Sequence, residues 1–237
     1  MTTKSLPRVA VIVAAYNEEK VIAETLSVVP KQLPGLADLD VVLVDDGSRD
    51  ATLENARACG VITLHHSINR GQGAALETGF EYARRHHYDA VVTYDADGQH
   101  NPDEIKDLLK PVLSGEYDVA LGSRFIGETQ GMSSSRKLII RGGILFTRLI
   151  SRIRVSDTHN GFRALSSAAL QQVRLREDRM EHASEILDII ARKNLRFTEV
   201  PVTITYTDYS MQKGQRNSNA LKIALNMLMY KLTTSKR

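Results

Sequence analysis

The sequence predicts an α/β fold organised around a mainly parallel, doubly wound sheet of Rossmann-like type. Apolar, β-branched runs of strand length alternate with longer amphipathic segments, which is the pattern of successive βα units. The runs are continuous rather than alternating in polarity, as strands must be when helices cover both faces of the sheet. At 237 residues, 42% of them hydrophobic, the chain can bury one large core. No repeat or low-complexity linker divides it, so it reads as one domain over 1–237, with halves at 8–125 and 126–216 and a C-terminal helix at 217–237.

The elements follow in order. Val9 to Ala15 reads as a buried strand, and Glu18 to Val29 as a helix stopped by Pro30. Asp40 to Val44 is a second strand, followed by a helix from Asp50 to Cys59 with Ser48 or Asp50 as its cap. Val61 to Leu64 is a third strand, Gly73 to Arg85 a helix, and Ala90 to Tyr94 a fourth strand. Asn101-Pro102 opens the next helix, because proline at the first helical position loses no hydrogen bond. Asp118 to Leu121 is a fifth strand. Beyond it the pattern gives a basic amphipathic helix over Arg136–Ile153 and a short strand over Gly161–Leu165. A helix over Glu181–Lys193, an alternating strand over Phe197–Tyr206, a polar loop over Thr207–Asn217 and an apolar helix over Ala220–Leu232 complete the chain.

Composition excludes several classes. A net charge of +3 is too small to imply a nucleic-acid partner. The basic residues are unevenly spread, however: Arg136, Lys137, Arg141, Arg148, Arg152 and Arg154 form a cluster that favours phosphate or a lipid surface. A lone Cys59 allows no internal disulfide and fits a reducing, cytoplasmic compartment. The N-terminal segment lacks the apolar core of a signal peptide, and no run reaches the ~18 apolar residues of a membrane span.

The strongest chemical signal is Asp95-Ala96-Asp97-Gly98-Gln99-His100, directly after the fourth strand. Alternate strand residues point the same way, so Asp95 and Asp97 project together at the carboxyl edge, where open α/β sheets bind ligands. Two carboxylates and the amide of Gln99 suit a hard cation such as Mg²⁺ or Mn²⁺, although an Asp-Gly turn also supplies such residues. The first strand runs into Tyr16-Asn17-Glu18-Glu19 and the second into Asp45-Asp46-Gly47-Ser48. Asp46 is placed to meet the donors of a base or ribose, and Tyr16 to stack on a base. Asn69-Arg70-Gly71-Gln72-Gly73 lacks the Gly-Lys-Ser/Thr ending of a phosphate loop and reads as a turn, with Arg70 available to a phosphate. His65-His66 and His86-His87 lack clustered ligand partners and read as surface or strand-end residues; Glu181, His182 and Glu185 read as an ordinary helical face.

Taken in order, Tyr-Asn-Glu, Asp-Asp-Gly-Ser, Asn-Arg-Gly-x-Gly, Asp-Ala-Asp-Gly-Gln-His, Gly-Ser-Arg and Asn-Gly-Phe-Arg resemble the family 2 inverting glycosyltransferases. Within them the chain is similar to the dolichyl- and polyprenyl-phosphate mannosyl- and glucosyltransferases over roughly residues 8 to 216. The resemblance implies a type-A glycosyltransferase fold, a UDP- or GDP-sugar donor, a divalent metal and a polyprenyl-phosphate acceptor. It places Ala14, Tyr16, Glu18, Val44 and Asp46 around the nucleoside, with Ala14 replacing a common proline. Asp95, Ala96, Asp97 and Gln99 would hold metal and diphosphate, with Asp95, Asp97 and Gln99 as ligands. Arg124 would reach a phosphate, and Arg136, Arg141, Lys213 and Arg216 would receive the acceptor phosphate. Lys213 also serves the donor, but Thr207 stands where the family's loop arginine would be, and Gln212 replaces a serine. By the same analogy Glu185 lines the acceptor side.

A phosphate monoester is ionised near neutrality and attacks without a base, whereas a hydroxyl acceptor needs one. Asp157 is the candidate base; its other reading is a turn carboxylate orienting Arg163. Two alternatives stand beside the main reading. One is an enzyme extending a sugar hydroxyl in cell-surface polysaccharide assembly, and the other a non-catalytic nucleotide-sugar-binding subunit. Leu138, Ile139, Leu145, Phe146, Leu149, Ile150 and Ile153 interleave with the basic cluster, as in an interfacial helix or in a core helix with a basic edge. The chain is expected to be peripheral on the cytoplasmic membrane face, docking through its own helices or a separate integral membrane subunit.

Overall fold

In the computed structural model the described residues are 5–126, 129–130, 153 and 155–206. A seven-stranded sheet runs in the order β3-β2-β1-β4-β7-β5-β8. Its strands are β1 (Arg8–Ala15), β2 (Asp38–Asp45), β3 (Ile62–His65), β4 (Ala90–Asp95), β5 (Val119–Ser123), β7 (Arg163–Ser166) and β8 (Phe197–Pro201). A small second sheet pairs β6 (Thr129–Gln130) with β9 (Ile204–Thr205). All neighbours in the large sheet are parallel except β7, which lies antiparallel between β4 and β5.

Both faces of the sheet are covered, which explains the unbroken apolar runs. Val9, Val11 and Val13 pack on one face with Leu26, Ala56, Ile105 and Leu108. These belong to α1 (Ile22–Val28), α2 (Thr52–Ala58) and α4 (Ile105–Leu113). Ala10 and Ile12 pack on the other face with Leu76, Phe80, Leu170, Ile186 and Leu187. Those come from α3 (Gln72–Arg85), α5 (Ser167–Gln172) and α6 (His182–Arg192).

Several boundaries differ from expectation for identifiable reasons. The first helix starts at Ile22, not Glu18, because Asn17 adopts φ 53° and residues 17–19 are tied to the next connection instead. The Asn17 and Glu18 amides donate to Ser48 Oγ and Thr52 Oγ1, while Ala51 donates back to Glu19. Ser48 is therefore engaged elsewhere and does not cap α2; Asp50 accepts from the Thr52 amide. Asn101 and Pro102 open a 3₁₀ turn at Pro102–Glu104 that leads into α4, and Asn101 Oδ1 accepts from the Asp103 amide. The strand expected at Gly161–Leu165 begins at Arg163. Phe197–Tyr206 divides after Pro201 into β8 and β9, and in the break the Thr203 amide donates to the Glu104 carboxylate. Helix α5 was not expected; Ser166 caps it by accepting from Ala169 N–H.

Ile153, expected on the apolar stripe of either an interfacial or a core helix, is packed in the core with Ala10, Ile12 and Val155. The rest of the basic amphipathic helix, the 207–217 loop and the 220–232 helix lie outside the described residues. Among the described residues no helix is long and apolar enough to cross a membrane.

Candidate functional site

The parallel register brings three strand ends to one edge. Ala14 lies between Val44 and Asp95, and Ala15 pairs with Asp45. Tyr16 and Glu18 continue from β1, Asp46 from β2, and Ala96, Asp97 and Gln99 from β4. Tyr16 is 37% exposed, whereas Glu18, Val44, Asp46 and Ala96 are buried. The Thr25 hydroxyl donates to the Ala96 carbonyl and fixes the start of the acidic turn.

Asp95 is held on several sides. His100 Nε2 lies 2.9 Å from Oδ2, and Gln72 Nε2 donates to Oδ1 at 3.3 Å. His100 is buried, stacked on Phe162 and set edge-on to Tyr94, whose hydroxyl donates to the His100 carbonyl. Among the described residues its Nδ1 meets no partner, while its Nε2 faces the carboxylate. A Cβ on Gly161 would stand 2.7 Å from Asp95 Oδ1, so only glycine lets this loop close against the carboxylate. Burial opposes the charge of Asp95, but His100, His182 and Arg163 outweigh it and hold its pKa below the ordinary range.

Asp97 behaves oppositely. Its Oδ1 accepts from the Gln99 amide, while burial and then the neighbouring Asp95 charge push its pKa up to about 6. Two carboxylates with opposed shifts side by side are a recurrent property of functional sites. Below them, burial pushes His182 down to about 4 and Arg163 down to about 10. Arg163 donates to the carbonyls of Asn160 and Ala183.

Asp157 pairs with Arg124 rather than Arg163, which corrects the alternative reading of its role. Arg124 Nε donates to Asp157 Oδ2 at 2.6 Å and its Nη2 to Oδ1 at 3.3 Å, with side chains 10% and 0% exposed. The Arg124 Nη1 also donates to the Tyr206 hydroxyl. The two elements are 33 positions apart and meet because β7 folds back beside β5. Both Asp157 oxygens are thereby taken up by the guanidinium in a buried fork.

Other expectations are corrected by contacts. His65 is exposed at the end of β3, as expected, and pairs with Asp45, whereas its neighbour His66 is only 11% exposed and bridges Asp46 and Thr78. Arg70 pairs with Asp178 at the surface, while its amide and that of Gly71 donate to Asp46. Glu185 is buried and accepts from the Arg176 and Glu177 amides, pinning the strap before α6. Sequence reasoning assigned no role to His100, Gln72 or Gly161. The position of His100 five residues after Asp95 was the available signal, and the Asn-Gly-Phe-Arg motif was the one that contained Gly161. Arg136, Arg141, Lys213 and Arg216 lie outside the described residues.

The comparisons agree with this architecture. The family described as Glycosyl transferase family 2 matches residues 10–174. The UDP-N-acetylglucosamine–dolichyl-phosphate N-acetylglucosaminyltransferase of Methanococcus voltae is 34% identical, covering 93% of this chain and 95% of that protein. The undecaprenyl-phosphate mannosyltransferase of Micrococcus luteus is 31% identical over 87% of each. Among solved structures, glucosyl-3-phosphoglycerate synthase from Mycobacterium tuberculosis, in complex with Mn²⁺ and UDP-glucose, has TM-score 0.71 at 21% identity. That match covers 93% of this chain and 79% of the other, and shares the fold.

Proposed function

The chain belongs to glycosyl transferase family 2, and from that premise we propose that it moves a hexosyl unit from a nucleotide diphosphate sugar to a polyprenyl phosphate, with inversion. The observation that carries the reading is the convergence of Asp46 with Asp95 and Asp97 on one sheet edge, beside the buried Arg124–Asp157 pair.

The donor's nucleoside would lie at the ends of β1 and β2, along Ala14, Tyr16, Glu18, Val44 and Asp46. Asp97 and Gln99, with Asp95 behind them, would hold a divalent cation against the diphosphate. The residues fit: all three side chains offer hard oxygen donors. Asp97 also carries a raised pKa beside Asp95, a repulsion that a cation relieves. Among the described residues no three His, Cys, Asp or Glu side chains form a self-sufficient metal site, so diphosphate and water would complete the coordination. Such a cation stabilises charge on the departing diphosphate. The residues of the chain orient the sugar, exclude water and keep Asp95 ionised through His100.

The engagement of Asp157 by Arg124 supports an acceptor that arrives already ionised, as a phosphate does, over a hydroxyl that needs a base. Arg124 would then face a phosphate with its charge fixed in place. Arg136, Arg141, Lys213 and Arg216 are the proposed acceptor-phosphate ligands. The 8–125 half is assigned to the donor and 126–216 to the acceptor, with the molecule peripheral on the cytoplasmic face of the membrane. The activities for which the two relatives are named support the acceptor class.

The test is transfer of labelled sugar, with Mn²⁺ present, to undecaprenyl phosphate and to undecaprenol in parallel. Product is expected with the phosphate alone. Equal glycosylation of the alcohol would overturn the reading and return Asp157 to consideration as a base.

A further inference from the structure

We propose that the donor base is uracil, selected by the number of hydrogen bonds that Asp46 has left to accept. The inference rests on the donor-pocket reading above and narrows it to one nucleotide class.

Asp46 directly follows β2, and its side chain is 3% exposed. Its Oδ1 faces His66 Nδ1 at 2.7 Å and accepts from the Arg70 amide at 3.0 Å. Its Oδ2 accepts from the Gly71 amide at 2.7 Å. An ionised carboxylate offers about four acceptor positions. Among the described residues three are filled, which leaves one, on Oδ2.

None of the three donors is free to withdraw. The two amides belong to a turn whose Gly71 has φ 122°, and a Cβ there would stand 2.3 Å from the Asp178 carbonyl. The turn is wedged between Asp46 and the 177–179 strap, and the Ala74 amide donates to the same Asp178 carbonyl. His66 is fixed at its other nitrogen, where Nε2 lies 2.9 Å from Thr78 Oγ1 on α3.

The bases differ in what they bring to one remaining acceptor. Guanine presents N1–H and the exocyclic N2–H side by side, and pairing both calls for a free position on each carboxylate oxygen. With Oδ1 full, the second donor would be desolvated without a partner. Uracil presents a single donor, N3–H, between two carbonyls, which matches a single acceptor. Cytosine has no N3–H. An unpaired donor is expected to weaken guanine nucleotides by about tenfold or more relative to uridine nucleotides.

The test is calorimetric titration of the intact chain with UDP and with GDP, each in Mn²⁺. UDP is expected to bind about tenfold tighter or better. GDP binding as tightly as UDP, or tighter, overturns the inference while leaving the donor pocket in place. Binding of neither nucleotide sinks the pocket reading itself, and the base choice with it. A variant then probes the cause: His66→Ala reopens a position on Oδ1 and should narrow the UDP-to-GDP ratio. An unchanged ratio would refute the acceptor count as the reason for selection. Should His66→Ala fail to fold, Thr78→Val, which lets the imidazole swing off Oδ1, is expected to narrow the ratio in the same direction, and the same unchanged result refutes the count.

Discussion

Replacing Gly161 by alanine would place a methyl group 2.7 Å from Asp95 Oδ1 and 2.8 Å from Oδ2. Carbon and oxygen approach comfortably only to about 3.3 Å, so one side must retreat by roughly 0.6 Å. Gly161 is absent from the positive-φ positions, so the clash is the whole perturbation and no backbone strain adds to it. The loop cannot yield freely, because the Gly161 carbonyl accepts from the Thr93 hydroxyl on β4. The carboxylate moves instead, and the 2.9 Å contact with His100 stretches towards the limit of a hydrogen bond. Overpacking of this size costs about 1–3 kcal/mol of stability. A catalytic group displaced by a large fraction of an ångström should slow transfer about ten- to a hundredfold. Urea unfolding, Mn²⁺ titration and labelled-sugar transfer measure the three consequences. A variant with wild-type rate and unchanged Mn²⁺ affinity would show that the position of Asp95 is immaterial and refute the argument.

Asp97→Asn should abolish transfer yet stabilise the fold at neutral pH. The pKa of Asp97 is raised to about 6, so its ionised form costs stability that appears as pH rises from about 4 through 6. After allowance for solvent screening the gain is about 1–2 kcal/mol at pH 7 and vanishes below pH 4, and a thermal melt that moves down at pH 7 would contradict it. The same raised pKa makes protons compete with the cation. Mn²⁺ affinity should fall up to about tenfold per unit below pH 6 and level off above it, which paramagnetic titration at stepped pH can read. Arg124→Met strands a buried Asp157 charge and should cost about 3–5 kcal/mol, whereas Arg124→Met with Asp157→Leu should recover much of that; equal losses in the two variants would argue against the pair.

What the sequence revealed depended on whether the physics was local. Strands β1, β2 and β4 were legible because continuous apolar runs of Val, Ile and Ala have few other solutions, and their carboxyl ends followed from chain direction. The acidic turn at Asp95–Gln99 was legible for the same reason. The direction of β7 was not, since burial fixes which residues hide and says nothing of which way a four-residue strand runs. The pairing of Asp157 went wrong through proximity: Arg163 is near in sequence, but the reversal of β7 delivers Arg124 instead. His66 looked like an exposed strand end because its partners, Asp46 and Thr78, sit 20 positions before it and 12 after. The break between β8 and β9 had a signal in Pro201, which an alternating pattern concealed.

The insertion of β7 between β4 and β5 also orders events during synthesis. The four parallel strands from β3 to β4 can zip as soon as residue 95 has emerged, since their partners are already present. The strand that joins them to β5 is not made until residues 163–166, and β8 follows at 197–201. Until then the free edge of β4 is an unpaired template, the kind of surface on which nascent chains misassociate. The same late strand is preceded by Asp157 and Gly161, which complete the surroundings of Arg124 and Asp95. A nascent chain therefore holds the proposed donor half with an acidic turn already tied by Thr25, Gln72 and His100 but not yet closed over by Gly161. Its completion waits on the pairing of β4 with β7, whose partners such as Ala90 and Ser166 lie far apart in the chain, and distant pairings are slow to form.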